Sequence, residues 1–169
     1  MSLANKITIA RATLIAPIVL FLITGRREIA LVLFLVASAG DVLDGMMARS
    51  RHEVSKLGKV LDPAVDKILY ASLAVSLWTM GTIPLVWLVL FFVPQLALAI
   101  GALFLHCLAR KVQGSRILGK AASVLTFLSM SLMIVNVGPG RILFYVAVGV
   151  AYIADVDYLI GALSISRQK

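Results

Sequence analysis

The chain has 169 residues, 61% of them hydrophobic and only 14% charged, with a formal net charge of +8 and a mean hydropathy of +1.02. That composition excludes an ordinary water-soluble domain and describes an integral membrane protein. The single cysteine, Cys107, excludes a disulfide framework or a thiolate metal cluster within one chain.

Apolar stretches run in chain order over residues 7–24, 29–48, 60–78, 84–109, 117–137 and 142–163. Each is close to the ~20 residues that cross a bilayer as a helix. Gly25-Arg26-Arg27, the polar stretch 50–59, residues 81–84, residues 110–114 and Gly138-Pro139-Gly140 punctuate them. The expected fold is therefore all-α: six transmembrane helices with short loops, in one domain over 1–169. The first span lacks a small-residue cleavage pattern, and the expectation is a retained helix rather than a leader.

Lys and Arg alternate unevenly between the two ends of these spans. Thirteen of the sixteen fall on one side, leaving Arg26, Arg27 and Arg141 on the other. Basic loops stay cytoplasmic, so both termini are expected in the cytoplasm. The positive charge is then a skirt facing anionic lipid headgroups, which leaves no need for a nucleic-acid partner. Trp78 and Trp87 flank a non-cytoplasmic turn, where interfacial aromatic anchors belong.

Four of the eight acidic residues, Asp41, Asp44, Asp62 and Asp66, lie within 26 positions, on the two helices that flank the longest basic loop. A charge inside a bilayer costs about 2.5 kcal/mol or more, so such a group needs a counter-charge. Helical periodicity places Asp41 with Asp44 on one face and Asp62 with Asp66 on another. Lys67 and Arg49 could neutralise part of the cluster as a purely structural salt-bridge network. Carboxylates without His or Cys partners instead favour hard cations such as Mg2+ or Mn2+. Two such ions would suit phosphoryl transfer. Paired intramembrane acids also mark cation pathways, so a divalent-cation transporter is the alternative from another class. Gly45, Ala48 and Gly58 either permit close helix packing or leave space for a flat ligand.

Written out, the segment is Asp41-x-x-Asp44-Gly45-x-x-Ala48-Arg49, eight residues, then Gly58-x-x-x-Asp62-x-x-x-Asp66. It resembles the signature of the CDP-alcohol phosphotransferase (CDP-alcohol phosphatidyltransferase) family, with every signature position filled. The opening Asn5-x-x-Thr8-x-x-Arg11 and the run from Leu57 to Lys67 resemble its phosphatidylglycerophosphate synthases. Gly119-Lys120 and Asp157-Tyr158 are weaker matches. The fourth span departs from that subgroup, carrying Pro94-Gln95-Leu96 where an Arg-Glu pair is usual.

The resemblance implies a homodimeric enzyme of the inner (cytoplasmic) membrane, its active site facing the cytoplasm, that displaces CMP from CDP-diacylglycerol by an acceptor hydroxyl. Asp41, Asp44 and Asp62 would ligate Mg2+ (or Mn2+), in two ions. Asp66 would complete the metal site and act as the general base. Gly45, Ala48 and Gly58 would admit the cytidine nucleotide, and Arg49 would support its phosphates. Asn5, Thr8 and Arg11 could add hydrogen bonds to the nucleotide, or could simply cap the first helix and place an Arg at the membrane surface.

A small phosphorylated alcohol such as glycerol 3-phosphate needs a basic pocket, for which Arg110, Arg116 and Lys120 are the candidates. The positive-inside rule alone would also place basic residues in that loop. Phosphatidylglycerol, giving cardiolipin, and inositol phosphate are the alternative acceptors. Asp155 and Asp157 could face the same cavity or sit at the interface. His52 and His106 are isolated and are not expected to act.

Overall fold

The computed structural model describes residues 3–51, 58–107 and 117–166, with side chains described over 8–40, 63–97 and 117–158. Those residues form six α-helices and no strand: α1 (Leu3–Ile23), α2 (Arg27–Arg51), α3 (Gly58–Thr79), α4 (Leu85–Cys107), α5 (Ile117–Ile134) and α6 (Pro139–Ser166). Each coincides with one of the apolar stretches. Among the described residues, Ile117–Ile134 and Pro139–Tyr158 are long and apolar enough to cross a membrane, and shorter apolar stretches cover Thr8–Ile23 and Leu85–Ala97.

Helix stops are set by residues able to take a left-handed conformation. Gly25 has φ 81° and Gly81 φ 71°. The Gly25 N–H donates to the Leu22 carbonyl and that of Arg26 to Phe21; the Gly81 N–H donates to Trp78 and that of Thr82 to Leu77. Both are complete Schellman caps, which satisfy carbonyls that a helix end leaves without partners. Asn136, at φ 59°, takes the same role after α5, and the Val137 N–H donates to the Leu132 carbonyl. Asn is the non-glycine residue best suited to that region.

The chain divides into two compact units, one of Met1–Thr82 with Ile134–Asn136, the other of Ile83–Met133 with Val137–Lys169. In the first, α1 packs against both α2 and α3, and the Phe34 and Tyr70 rings meet edge to face at 5.9 Å between α2 and α3. Ala30, Phe34 and Ala37 of α2 and Leu69, Leu73 and Leu77 of α3 are buried. Spacings of three and four residues put each set on a single helix face.

The buried stripe of α1 is mixed. Ile18 and Leu22 are fully enclosed toward its end, while the same three-and-four spacing carried back toward its start passes through Arg11 and Thr8, which are also buried. One end of the unit is therefore apolar and the other polar. Outward positions such as Leu20, Val32 and Ile68 remain more than half exposed, the pattern of a surface meant for lipid rather than water.

In the second unit α4 packs on α6 through aromatic contacts. Trp87 stacks on Tyr145 at 4.0 Å, and Phe91 meets Phe144 at 5.6 Å. Pro139 opens α6 at the position where its missing N–H costs nothing.

Candidate active site

Both helices of the acidic motif belong to the first unit. α2 runs unbroken through Asp41, Asp44, Gly45, Ala48 and Arg49 to Arg51, and α3 begins at Gly58 and carries Asp62 and Asp66. Asp41 and Asp44 are three residues apart in one continuous helix, and Asp62 and Asp66 four apart in another. Of these residues only Asp66 falls within the described side chains.

Axial counting compares the levels of these residues along their helices. Arg11 lies eight residues after the start of α1, and Asp66 eight residues after the start of α3. Arg11 also stands twelve residues back from the end of α1, while Asp41 stands fourteen on from the start of α2. At a rise of 1.5 Å per residue, neighbouring antiparallel helices place those two within about 3 Å of one level along the unit. Asp44 follows by one turn.

At that level Arg11 Nη2 donates to Asp66 Oδ1 at 2.8 Å, across 55 positions of sequence. Exposure across the pair is uneven. The arginine side chain is 3% exposed and the aspartate side chain 41%. The cation is sunk into the helix packing, and the carboxylate stands at its open edge. The Arg11 guanidinium is thus enclosed and answers an acid on another helix. Among the described residues a counter-charge to this acid comes from α1, while Lys67 beside it is exposed. The sequence did carry a signal for Arg11, because its spacing from Thr8, Ile18 and Leu22 puts it on the buried stripe.

Thr8 lies one turn before Arg11 on that stripe and is 1% exposed. Since α1 starts at Leu3, Thr8 is an interior residue of the helix. Asn5 lies in the first turn of α1, outside the described side chains. Of the acceptor candidates, Lys120 is exposed in the first turn of α5, whereas Arg110 and Arg116 lie outside the described residues. On α6, Asp155 Oδ1 and Tyr158 Oη are buried, with no hydrogen-bond partner among the described residues.

No cluster of three His, Cys, Asp or Glu occurs among the described residues. The chemistry of the four acids can still be weighed. Their donors are oxygen alone, in pairs one turn apart on two helices of one packed unit, and that donor set fits a hard divalent cation.

Comparison with known proteins points the same way as the motif. The family model described as CDP-alcohol phosphatidyltransferase matches residues 1–153. The chain is 27% identical over 150 residues to the CDP-diacylglycerol--glycerol-3-phosphate 3-phosphatidyltransferase of Bacillus subtilis, covering 80% of this chain and 77% of that one. It is 27% identical over 173 residues to the probable phosphatidylglycerophosphate synthase of Mycobacterium tuberculosis, covering 96% and 82%. Over 89 residues it is 37% identical to the probable cardiolipin synthase (CMP-forming) of Drosophila melanogaster, covering 52% of this chain and 27% of that one.

Proposed function

Because the chain belongs to the CDP-alcohol phosphatidyltransferase family, whose members transfer phosphatidyl groups from a CDP-alcohol, we propose that it moves the phosphatidyl group of CDP-diacylglycerol to glycerol 3-phosphate, releasing CMP. The match over residues 1–153 carries the reaction class. The relatives named for glycerol 3-phosphate, matched over most of both chains, support the acceptor.

In this reading Asp41, Asp44 and Asp62 hold Mg2+ or Mn2+, in two ions, which would offset the charge of the pyrophosphate and of the departing CMP. Asp66 accepts the proton of the acceptor hydroxyl. As that proton leaves, the acceptor oxygen bonds to the phosphatidyl phosphorus, and the bond from that phosphorus to the CMP oxygen breaks. A half-exposed carboxylate is suited to this task, because a base must come within hydrogen-bond reach of the hydroxyl it deprotonates. Its Oδ1 accepts from Arg11, and the same carboxylate would complete the metal site.

Gly45, Ala48 and Gly58 leave room for the cytidine, and Arg49 and Asn5 serve its phosphates. Thr8, enclosed one turn before Arg11, would add its hydroxyl to the nucleotide's contacts. Arg110, Arg116 and Lys120 receive the acceptor phosphate. Six membrane spans with both termini in the cytoplasm, one domain over 1–169, a cytoplasm-facing site in the inner membrane and a homodimer complete the proposal. The six apolar helices and the lopsided distribution of Lys and Arg support that topology.

The relatives named cardiolipin synthase favour a second reading, with phosphatidylglycerol as the acceptor. The deciding experiment incubates purified protein with CDP-diacylglycerol, Mg2+ and one acceptor at a time. CMP release is measured, and the lipid product is identified by mass spectrometry. Phosphatidylglycerophosphate formed from glycerol 3-phosphate supports the first reading. Turnover with phosphatidylglycerol alone replaces it with the second.

A further inference from the structure

Arg11 occupies a place that packing alone would give to an apolar residue. It shares its stripe with Ile18 and Leu22, and it is 2% exposed as a whole residue. Enclosing a guanidinium is costly unless it is paired, and a hydrophobic residue of similar volume often does as well or better for stability. The acid that meets it is the half-exposed Asp66 of α3, 55 positions away. We propose that Arg11 is a positioning residue for Asp66: buried behind the carboxylate, it fixes the orientation in which that group meets the acceptor hydroxyl. This rests on the reading of Asp66 as the general base.

Three features of the pair carry the proposal. Among the described residues, a guanidinium nitrogen, Arg11 Nη2, donates to a carboxylate oxygen, Asp66 Oδ1, at 2.8 Å. Charge-assisted bonds of this kind are short and directional, and the planar guanidinium donates along fixed directions where an ammonium does not. The burial is one-sided, 3% against 41%, so the cation braces the acid from within the packing while the rest of the acid stays accessible. Finally, the brace and the acid belong to two helices that both pack in the first unit. The aspartate is thereby referred to the body of the fold rather than to its own helix alone. A base misplaced by about 1 Å can lose on the order of 100-fold in rate, so a brace of this kind acts on kcat.

The test compares the unaltered full-length protein with Arg11→Met, Arg11→Lys and Asp66→Asn in lipid nanodiscs. Active sites are counted by CDP-diacylglycerol binding, and kcat is expressed per binding site. The expected result for Arg11→Met is a kcat lower by about 30-fold to 100-fold, with the donor KM within about threefold of the original. Arg11→Lys, which keeps the charge without the planar donors, is expected to recover part of that loss.

Unchanged kcat per site in Arg11→Met would overturn the proposal and leave Arg11 a structural brace. A donor KM raised tenfold or more with kcat retained would also overturn it, by placing Arg11 on the donor phosphates. If Arg11→Met does not fold, Arg11→Lys decides: a reduced kcat at unchanged donor KM supports the proposal, and an unchanged kcat overturns it. Asp66→Asn separates the two levels. Full turnover there removes the base reading and this proposal with it, whereas an inactive Asp66→Asn beside a fully active Arg11→Met removes only the role given to Arg11.

Discussion

Gly140, in the first turn of α6, lies against Met133 near the end of α5 so closely that a Cβ on it would stand 2.9 Å from the Met133 backbone nitrogen. The same Cβ would come within 2.9 Å of Leu132 Cβ and 3.0 Å of Met133 Cγ. Backbone cannot step aside as a flexible side chain can. Gly140→Ala is therefore expected to destabilise the protein by about 1–3 kcal/mol, the usual range for overpacking. At this size that lowers Tm by roughly 2–4 °C per kcal/mol. Gly149→Ala on the same helix, where nothing lies within 4 Å, is expected to be neutral or mildly stabilising. Thermal unfolding of both variants in detergent, followed by helical circular dichroism, checks the contrast.

Asp66→Asn keeps the shape of the side chain and removes its ability to take a proton. Turnover is expected to fall by about 10²–10⁴, the usual contribution of a general base, with CDP-diacylglycerol affinity largely kept. Parallel measurement of CMP release and donor binding checks it. Comparable loss of binding would count against the base assignment.

Asp41→Asn, Asp44→Asn and Asp62→Asn are each expected to raise the Mg2+ concentration needed for half-maximal activity. The rise should exceed the ~10-fold that loss of even an outer-shell partner costs. Chelation is expected to stop the unaltered enzyme, and added Mg2+ to restore it. A Mg2+ titration unchanged in all three variants would remove the acidic motif from metal binding.

Arg116→Ala and Lys120→Ala separate a phosphorylated, soluble acceptor from a lipid one. Each hydrogen bond to a charged group is worth about 1.5–3 kcal/mol, so the glycerol 3-phosphate KM is expected to rise by roughly 10-fold to 100-fold, with the donor KM unmoved. Steady-state kinetics with each substrate varied in turn gives the answer, and an indifferent acceptor KM favours phosphatidylglycerol.

The helices were legible because each apolar run is long and its ends are marked by Gly, Pro or clustered charge. Gly25 and Gly81 were read as breaks, and both hold the left-handed conformation of a helix cap. The last break was less legible. Gly138-Pro139-Gly140 suggested the turn, yet the left-handed residue is Asn136, while Pro139 starts the next helix and Gly140 serves close packing against α5.

In the candidate site, the spacing of the four acids was plain from the sequence, but the cation that meets Asp66 was not. Spacings of three and four residues report only neighbours on one helix. They do not report a contact spanning 55 positions, such as that between Arg11 and Asp66. The mixed stripe of α1 was the available sign, since a charged residue in register with Ile18 and Leu22 must find its partner inside the fold.

The distance in sequence between Arg11 and Asp66 also imposes an order on synthesis. α1 emerges before α3, bearing an arginine whose acid does not yet exist, and at 5–20 residues per second the missing partner follows roughly 3–11 s later. An unpaired Arg deep in hydrocarbon costs about 2.5–3.5 kcal/mol even on the mildest scale. Until then a hydrated position for the guanidinium avoids that cost. Arrival of α3 then supplies the carboxylate that pairs with Arg11, so α1 is completed by α3.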